Sequence, residues 1–227
     1  MNTIFNFGDP HKDFTPVADE ILKDYKVINL PITNNKVFYN NELQIISACY
    51  GVSPVLDSLS FMVMADKIKE KDNIVFIGSM GSFSSDIKLD DLVIPVQLYC
   101  AYYGFRREIL FPNQNLLEKL KHSLSEKNHD FFEYPHGSVM AVFDSSTDHE
   151  NYRNSLYGDL VKGVDCTESF IGIKFCDDNN LFGVALLYCS DDPVTKIAEI
   201  PKEEFDKRAL ERDLEIHYIA ADVFKRI

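Results

Sequence analysis

Ile74-Val75-Phe76-Ile77-Gly78-Ser79-Met80-Gly81-Ser82-Phe83 is the stretch whose reading decides the fold. Four apolar residues without polar alternation suit a strand covered on both faces, as in a parallel sheet. The run breaks at Gly78, where two glycines let the chain turn sharply and let a ligand approach bare backbone amides. Ligands of open α/β sheets bind at the carboxyl ends of strands, which makes Gly78 to Gly81 the first candidate site. An ordinary strand-to-loop turn has the same sequence signature, because Gly-Ser clusters mark loops of every kind. Other parts of the chain have to separate these readings.

Working toward the N-terminus, Gln44-Ile45-Ile46-Ser47-Ala48-Cys49 reads as a second buried strand, closed by Tyr50-Gly51-Val52-Ser53-Pro54. A helix over 55–68 follows, with Leu56, Leu59, Phe61, Val63, Met64 and Ile68 on its apolar face and Ser53-Pro54 at its start. Strand, glycine turn, helix and strand make the βαβ pattern of a parallel sheet. Toward the C-terminus, buried strands are expected over 92–96, 138–143 and 181–188, and helices over 115–127, 149–157, 168–176 and 202–225. The last helix carries an apolar stripe of Leu210, Leu214, Tyr218, Ala221 and Phe224, which reads as core packing. No repeat, low-complexity tract or linker interrupts the pattern, so residues 1–227 read as a single α/β domain.

Composition narrows the partners. With 227 residues, of which 45% are hydrophobic, the chain can bury a substantial core. A net charge of -13 disfavours nucleic acid, since an acidic surface repels phosphate backbones, and points to a small-molecule partner. Cys49, Cys100, Cys166, Cys176 and Cys189 are odd in number and lack a Cys-x-x-Cys pair, which fits reduced thiols in a cytoplasmic protein. No apolar stretch approaches the roughly 20 residues that span a bilayer, and Met1 to Gly8 has no signal-peptide pattern, so no membrane association is expected. The six histidines form no recognisable ligand set with the cysteines, and no metal is expected.

Three turns, in this order, resemble the nucleoside phosphorylase family of purine nucleoside and uridine phosphorylases and related nucleosidases. They are Gly8-Asp9-Pro10-His11-Lys12, Tyr50-Gly51-Val52-Ser53-Pro54, and Gly78-Ser79-Met80-Gly81 leading into Ile87-Lys88-Leu89-Asp90-Asp91-Leu92-Val93-Ile94. Two later segments extend the likeness: Gly163-Val164-Asp165-Cys166-Thr167-Glu168-Ser169 resembles the family's Val-Asp/Glu-Met-Glu segment, and Leu187-Tyr188-Cys189-Ser190-Asp191 resembles its strand ending in Ser-Asp. The resemblance covers nearly the whole chain. It implies one α/β domain with a mixed, partly barrel-like central sheet flanked by helices, assembled as a homo-oligomer, a dimer or a hexamer.

Cleaving an N-glycosidic bond requires an acid that relieves the departing base of negative charge and a carboxylate that grips the sugar hydroxyls. The resemblance gives the first role to Asp191 and the second to Glu168, with Cys166 and Thr167 also at the ribose. It places Gly8, Lys12 and Ser79 at phosphate, a possible co-substrate with no other cofactor implied, and Phe143, Gly81 and Ser190 at the base. It also lets Arg208, on the last helix, position Asp191. Each residue has a plainer reading. Asp191-Asp192 can open a turn before Pro193, Glu168 can be a helix-start acid capped by Thr167, and Phe143 can be a strand-core phenylalanine.

Three departures bear on the nucleophile. Lys12 stands where the family has an arginine, losing the bidentate fork, Phe76 occupies the place of another arginine of the purine enzymes, and there is no cation near Leu30, where many members offer a further arginine from a neighbouring subunit. The first reading is phosphorolysis of a nucleoside, most readily a purine nucleoside, transferring the pentosyl group to phosphate. The alternatives are a hydrolytic nucleosidase on the same scaffold, with Asp9, His11 and Asp13 nearest for activating water, and a catalytically degenerate nucleoside-binding protein.

Overall fold

Ile74, Val75, Phe76 and Ile77 are all 0% exposed, as a strand covered on both faces requires. They form the centre of β5 (Asn73–Ser82) in a computed structural model that describes residues 1–7, 15–30, 35–48, 52–100, 108–138, 160–165, 168–191 and 201–225. The strand does not end at Gly78. It runs on through Ser82, so the Gly78 to Gly81 segment is extended backbone and not a turn.

Upstream of β5 lie β1 (Asn2–Phe7), α1 (Thr15–Ile21), β2 (Lys26–Asn29), β3 (Lys36–Tyr39), β4 (Leu43–Ala48) and α2 (Val52–Met64). Downstream follow β6 (Leu92–Cys100), β7 (Glu108–Leu110), α3 (Gln114–Glu126), β8 (Phe131–Ser138), β9 (Gly163–Asp165), α4 (Glu168–Asp178), β10 (Phe182–Asp191) and α5 (Lys202–Phe224). The strands join in one mixed sheet of order β10-β6-β8-β9-β5-β1-β4-β3-β2, with β7 on β6. β10 also pairs with β5, which closes β5, β10, β6, β8 and β9 into a ring. The partly barrel-like mixed sheet expected from the resemblance is therefore present.

Two apolar layers sandwich the sheet. Phe5, Phe7, Ile74 and Phe76 face Val55, Leu59 and Met62 of α2 and Phe170, Ile171 and Ile173 of α4. Ile4, Val75 and Ile77 face α1, α3 and α5, the last through Ile216, Ile219, Ala220, Val223 and Phe224. The stripe read on the last helix is accordingly core packing at Ala221 and Phe224, although Tyr218 stays 41% exposed.

Some boundaries differ from the sequence reading, each for a local reason. The second helix stops at Met64 and not at 68, because Asp66 turns to a φ of 57° and the amides of Lys67 and Ile68 both return to the Met62 carbonyl at 2.9 and 3.2 Å. That is a left-handed C-terminal cap, and Ile68 beyond it drops back into the core. β1 is not apparent from hydropathy because Thr3 and Asn6 interrupt it. Both are buried but partnered: Gln44 Nε2 donates to Thr3 Oγ1 at 2.8 Å, and Asn6 Nδ2 lies 3.3 Å from His217 Nε2. β8 occupies 131–138 and contributes only Ser138 to the strand expected over 138–143, whose remainder lies outside the described residues. Its Pro135 is accommodated where the ladder slips between Pro95 and Gln97. The helix expected over 149–157 lies outside the described residues as well.

Candidate functional site

β5 changes neighbours at the Gly78 to Gly81 segment. Along one edge it pairs with β10 from Asn73 to Gly81. Along the other it pairs with β1 only as far as Phe7 opposite Gly78, and β9 takes over at Val164 opposite Gly81. Ser79 and Met80 lie between, with no ladder partner on that edge among the described residues. β1 and β9 run in opposite senses against β5, so their C-terminal ends point at this gap from either side. It is a switch point of the kind at which α/β sheets accommodate ligands.

Several segments singled out in the sequence are joined in the chain to the strands around the gap. The chain leaving β1 after Phe7 enters the Gly8 to Lys12 stretch, and the chain leaving β4 after Ala48, opposite Phe7, enters Tyr50 to Pro54. β9 leads through Cys166 and Thr167 into Glu168. β8 lies beside β9, with Ser138 opposite Asp165, and leads toward Phe143. Gly8, Lys12, Phe143, Cys166 and Thr167 themselves lie outside the described residues, as do Asp9, His11 and Asp13.

The position of Glu168 follows from helix and strand geometry. A Cβ on Gly172 would meet the Phe76 ring at 2.5 Å, and a Cβ on Gly183 would meet Cys176 Sγ at 2.9 Å, so α4 lies against β5 and β10 at these two levels. Gly183 is level with Ile74, which means that α4 runs antiparallel to β5. Four residues of helix rise about 6 Å and two residues of strand about 6.6 Å. One turn before Gly172, on the same helix face, Glu168 therefore stands level with Gly78. It is 2% exposed and lies in the first turn of α4, where the helix dipole favours a carboxylate.

Asp191 ends β10 opposite Gly81, with a bulge at Ser190 between Cys189 and Asp191. Ser190 is half-buried and its Oγ donates to the Met80 carbonyl at 3.2 Å, across the same short segment. Ser79 and Gly81 are half-buried at the gap. The ladders thus bring Glu168, Ser79, Gly81, Ser190 and the backbone of Asp191 to one end of the sheet. Gly78, by contrast, is explained by packing: a Cβ there would sit 2.3 Å from the Phe7 ring.

Phe76 and Leu30 prove to be core positions. Phe76 is 0% exposed, with its ring centroid 5.5 Å from that of Phe5, and Leu30 is 3% exposed in the same apolar layer. Both side chains are apolar and buried, so neither position offers a cation at the gap. Arg208 was expected to serve Asp191, but its guanidinium engages Asp90, with Nε at 3.2 Å and Nη2 at 2.5 Å from Oδ2. Sequence reasoning missed Asp90, although Lys88-Leu89-Asp90-Asp91 before an apolar run is a visible turn signal. Among the described residues no group of three His, Cys, Asp or Glu side chains could share a metal ion, and no helix is long and apolar enough to cross a membrane.

No protein-family model and no curated protein matches the sequence. Solved structures do match, over the full chain. A 5'-methylthioadenosine/S-adenosylhomocysteine nucleosidase from Campylobacter jejuni superposes with a TM-score of 0.80 at 15% identity, covering 100% of both chains. The futalosine hydrolase of Helicobacter pylori gives 0.76 at 16%, over 100% of this chain and 99% of that one. A Helicobacter pylori methylthioadenosine/S-adenosylhomocysteine nucleosidase variant holding 5'-methylthioadenosine in its active site gives 0.71 at 16%, over 100% and 97%. The chain has the fold shared by the nucleoside phosphorylases and these nucleosidases.

Proposed function

We propose that the protein hydrolyses the N-glycosidic bond of a nucleoside, with water and not phosphate as the nucleophile. One observation carries the choice: both positions at which the phosphorolytic relatives were expected to supply arginines, 30 and 76, are sealed in the core. Phosphate would then rest on Lys12 and backbone amides, a weak cradle for a dianion. The structural neighbours named above as nucleosidases and a hydrolase support the same reading.

In the proposed reaction, water oxygen bonds to the anomeric carbon as the bond to the base nitrogen breaks. The bonding pair leaves with the base, and the Asp191 carboxyl supplies the proton that neutralises it. Glu168 accepts hydrogen bonds from the sugar hydroxyls, and its negative charge, held at the start of α4, favours the cationic sugar of the transition state. Cys166 and Thr167 border the ribose, Gly81, Ser190 and Phe143 border the base, and Gly8, Lys12 and Ser79 enclose the end where the nucleophile enters. Asp9, His11 and Asp13 are the groups able to take the proton from water.

The sugar product decides the issue. Incubated with 5'-methylthioadenosine in phosphate buffer and in phosphate-free buffer, the protein is expected to release free sugar at equal rates. A sugar 1-phosphate, or release that requires phosphate, would establish phosphorolysis instead. We further propose that copies associate as homo-oligomers, consistent with the exposed Val52 and Met64 on α2. Sedimentation as a monomer at micromolar concentration would refute this.

A further inference from the structure

A cleft of about 260 Å³ lies at the end of the sheet opposite the gap at Ser79 and Met80. Asn2 and Leu43, paired at the starts of β1 and β4, line it, whereas Phe7 and Ala48 end those strands at the gap. Five residues of strand, about 16 Å, separate the two places, so the cleft takes no part in the proposed reaction. Three helices end beside it. Glu20 and Ile21 close α1, Lys127 caps α3, and Phe224 and Lys225 end α5. Ile21, Leu43 and Phe224 give the cleft apolar surface, and Tyr218, 41% exposed, adds an aromatic one.

The charges around the cleft are unevenly matched. Lys127 and Lys225 share one carboxylate, with Asp222 Oδ2 3.5 Å from Lys127 Nζ and Oδ1 3.9 Å from Lys225 Nζ. Ser123 Oγ also donates to Asp222 Oδ2, at 3.0 Å. Glu20 and Glu42 lack such a counter-charge. Glu20 accepts from the Tyr218 hydroxyl, and among the described residues neither carboxylate is in an ion pair. Glu20 moreover sits in the last turn of α1, which holds no basic residue and where the helix dipole disfavours a carboxylate. A local rule broken without compensation inside the chain is characteristic of functional sites.

We propose that this cleft binds a small organic cation, its ammonium group held by Glu20, Glu42 and the Tyr218 ring and its apolar body by Ile21, Leu43 and Phe224. Two carboxylates and an aromatic face attract the same charge. The volume, about that of nine waters at roughly 30 Å³ each, admits only a compact ligand. Both carboxylates are exposed, which keeps the affinity low. The site stands independently of the function proposed above, because the two ends of the sheet share no residue.

The test is a proton–nitrogen NMR titration of the full-length protein with three probes of one shape: phenethylammonium, neutral 2-phenylethanol and anionic phenylacetate. Phenethylammonium is expected to shift the amides of Glu42, Leu43 and Ala221 saturably, with a Kd of about 1 mM, and to bind at least about fivefold tighter than either other probe. Glu20→Gln and Glu42→Gln are each expected to weaken it about three- to fivefold, and Tyr218→Leu about two- to fivefold. All three side chains are exposed, so the variants keep the fold. Saturating 5'-methylthioadenosine is expected to leave the Kd within about twofold of its value alone. No saturable shift by about 20 mM, equal affinity for the three probes, or unaltered affinity in both Gln variants would overturn the proposal. Tightest binding of phenylacetate would make the cleft an anion site of Lys127 and Lys225 and overturn it equally. Shifts confined to residues around Ser79 and Met80, or competition by 5'-methylthioadenosine, would place the cation in the gap and not in this cleft.

Discussion

Phe76→Arg tests whether the position belongs to the core or to an anion site. In the structure the Phe76 ring is 0% exposed, stacks at a tilt on Phe5, and fills the space that Gly172 leaves open on α4. Removing a buried aromatic ring typically costs about 3–5 kcal/mol. The arginine stem restores part of the packing, but its guanidinium is then buried in an apolar layer, at a cost of at least several kcal/mol unless the helix moves aside. A net loss of about 4 kcal/mol or more is expected, against a total stability of roughly 5–15 kcal/mol for a domain. With a urea dependence of about 2–3 kcal/mol per molar, the unfolding midpoint falls by at least about 1.3 M. The assay is equilibrium urea unfolding followed by circular dichroism, with Phe76→Leu as the mild control, expected to lose about 1 kcal/mol and to keep its activity. The reasoning fails if Phe76→Arg unfolds at the wild-type midpoint, and fails further if its base release becomes phosphate-dependent, since the side chain would then open onto the anion end.

Glu168→Gln is expected to lower kcat/KM for 5'-methylthioadenosine by about 10- to 200-fold, the equivalent of one charge-assisted hydrogen bond to the sugar at about 1.5–3 kcal/mol. An unchanged kcat/KM would leave Glu168 as a helix-start acid. Asp191→Asn should slow base release by about 100- to 10,000-fold, the range general acid catalysis supplies, and equal rates would sink the assignment. Gly78→Ala places a methyl against the Phe7 ring and should cost about 1–3 kcal/mol in urea unfolding, partly relieved by Phe7→Leu. Burial, reinforced by Asp177, pushes the Cys176 thiol up from its ordinary value. Its folded form therefore holds the proton after the unfolded form has released it, so this stabilisation is complete below about pH 8.5 and is lost as pH rises above that, by at most about 1.4 kcal/mol per pH unit. Cys176→Ala should flatten that alkaline slope, and an unchanged slope would refute the assignment.

The apolar runs at the centres of β4 and β5 and at the start of β10 were legible because covering both faces of a sheet leaves such a run unbroken. β1 was not, since hydropathy cannot reveal that Gln44 and His217 meet Thr3 and Asn6 from other elements. The end of β5 was misread for a related reason. Gly78 marks a turn in most sequences, but here it clears the Phe7 ring within a continuing strand, and the steric partner is 71 positions away. Phe76 could not be weighed from sequence either, because whether a missing cation matters depends on which way the strand faces. The pairing of Arg208 with Asp90 was equally hidden, as a helix arginine has many carboxylates within reach. The candidate pieces of the site, in contrast, were visible in chain order, and the ladders supply what order alone lacks, namely the gap at Ser79 and Met80 between β1 and β9.

The central claim is that one nucleoside lies across that gap, with its sugar on Glu168 and its base on Asp191. A crystal structure of the protein soaked with 5'-methylthioadenosine and phosphate tests it most directly. The account predicts the sugar hydroxyls within hydrogen-bond distance of the Glu168 carboxylate, the base at the Asp191 carboxyl, and water at the anomeric carbon. A nucleoside bound elsewhere, or one that touches only one of the two carboxyls, would contradict the site. Phosphate ordered beside the anomeric carbon would contradict hydrolysis.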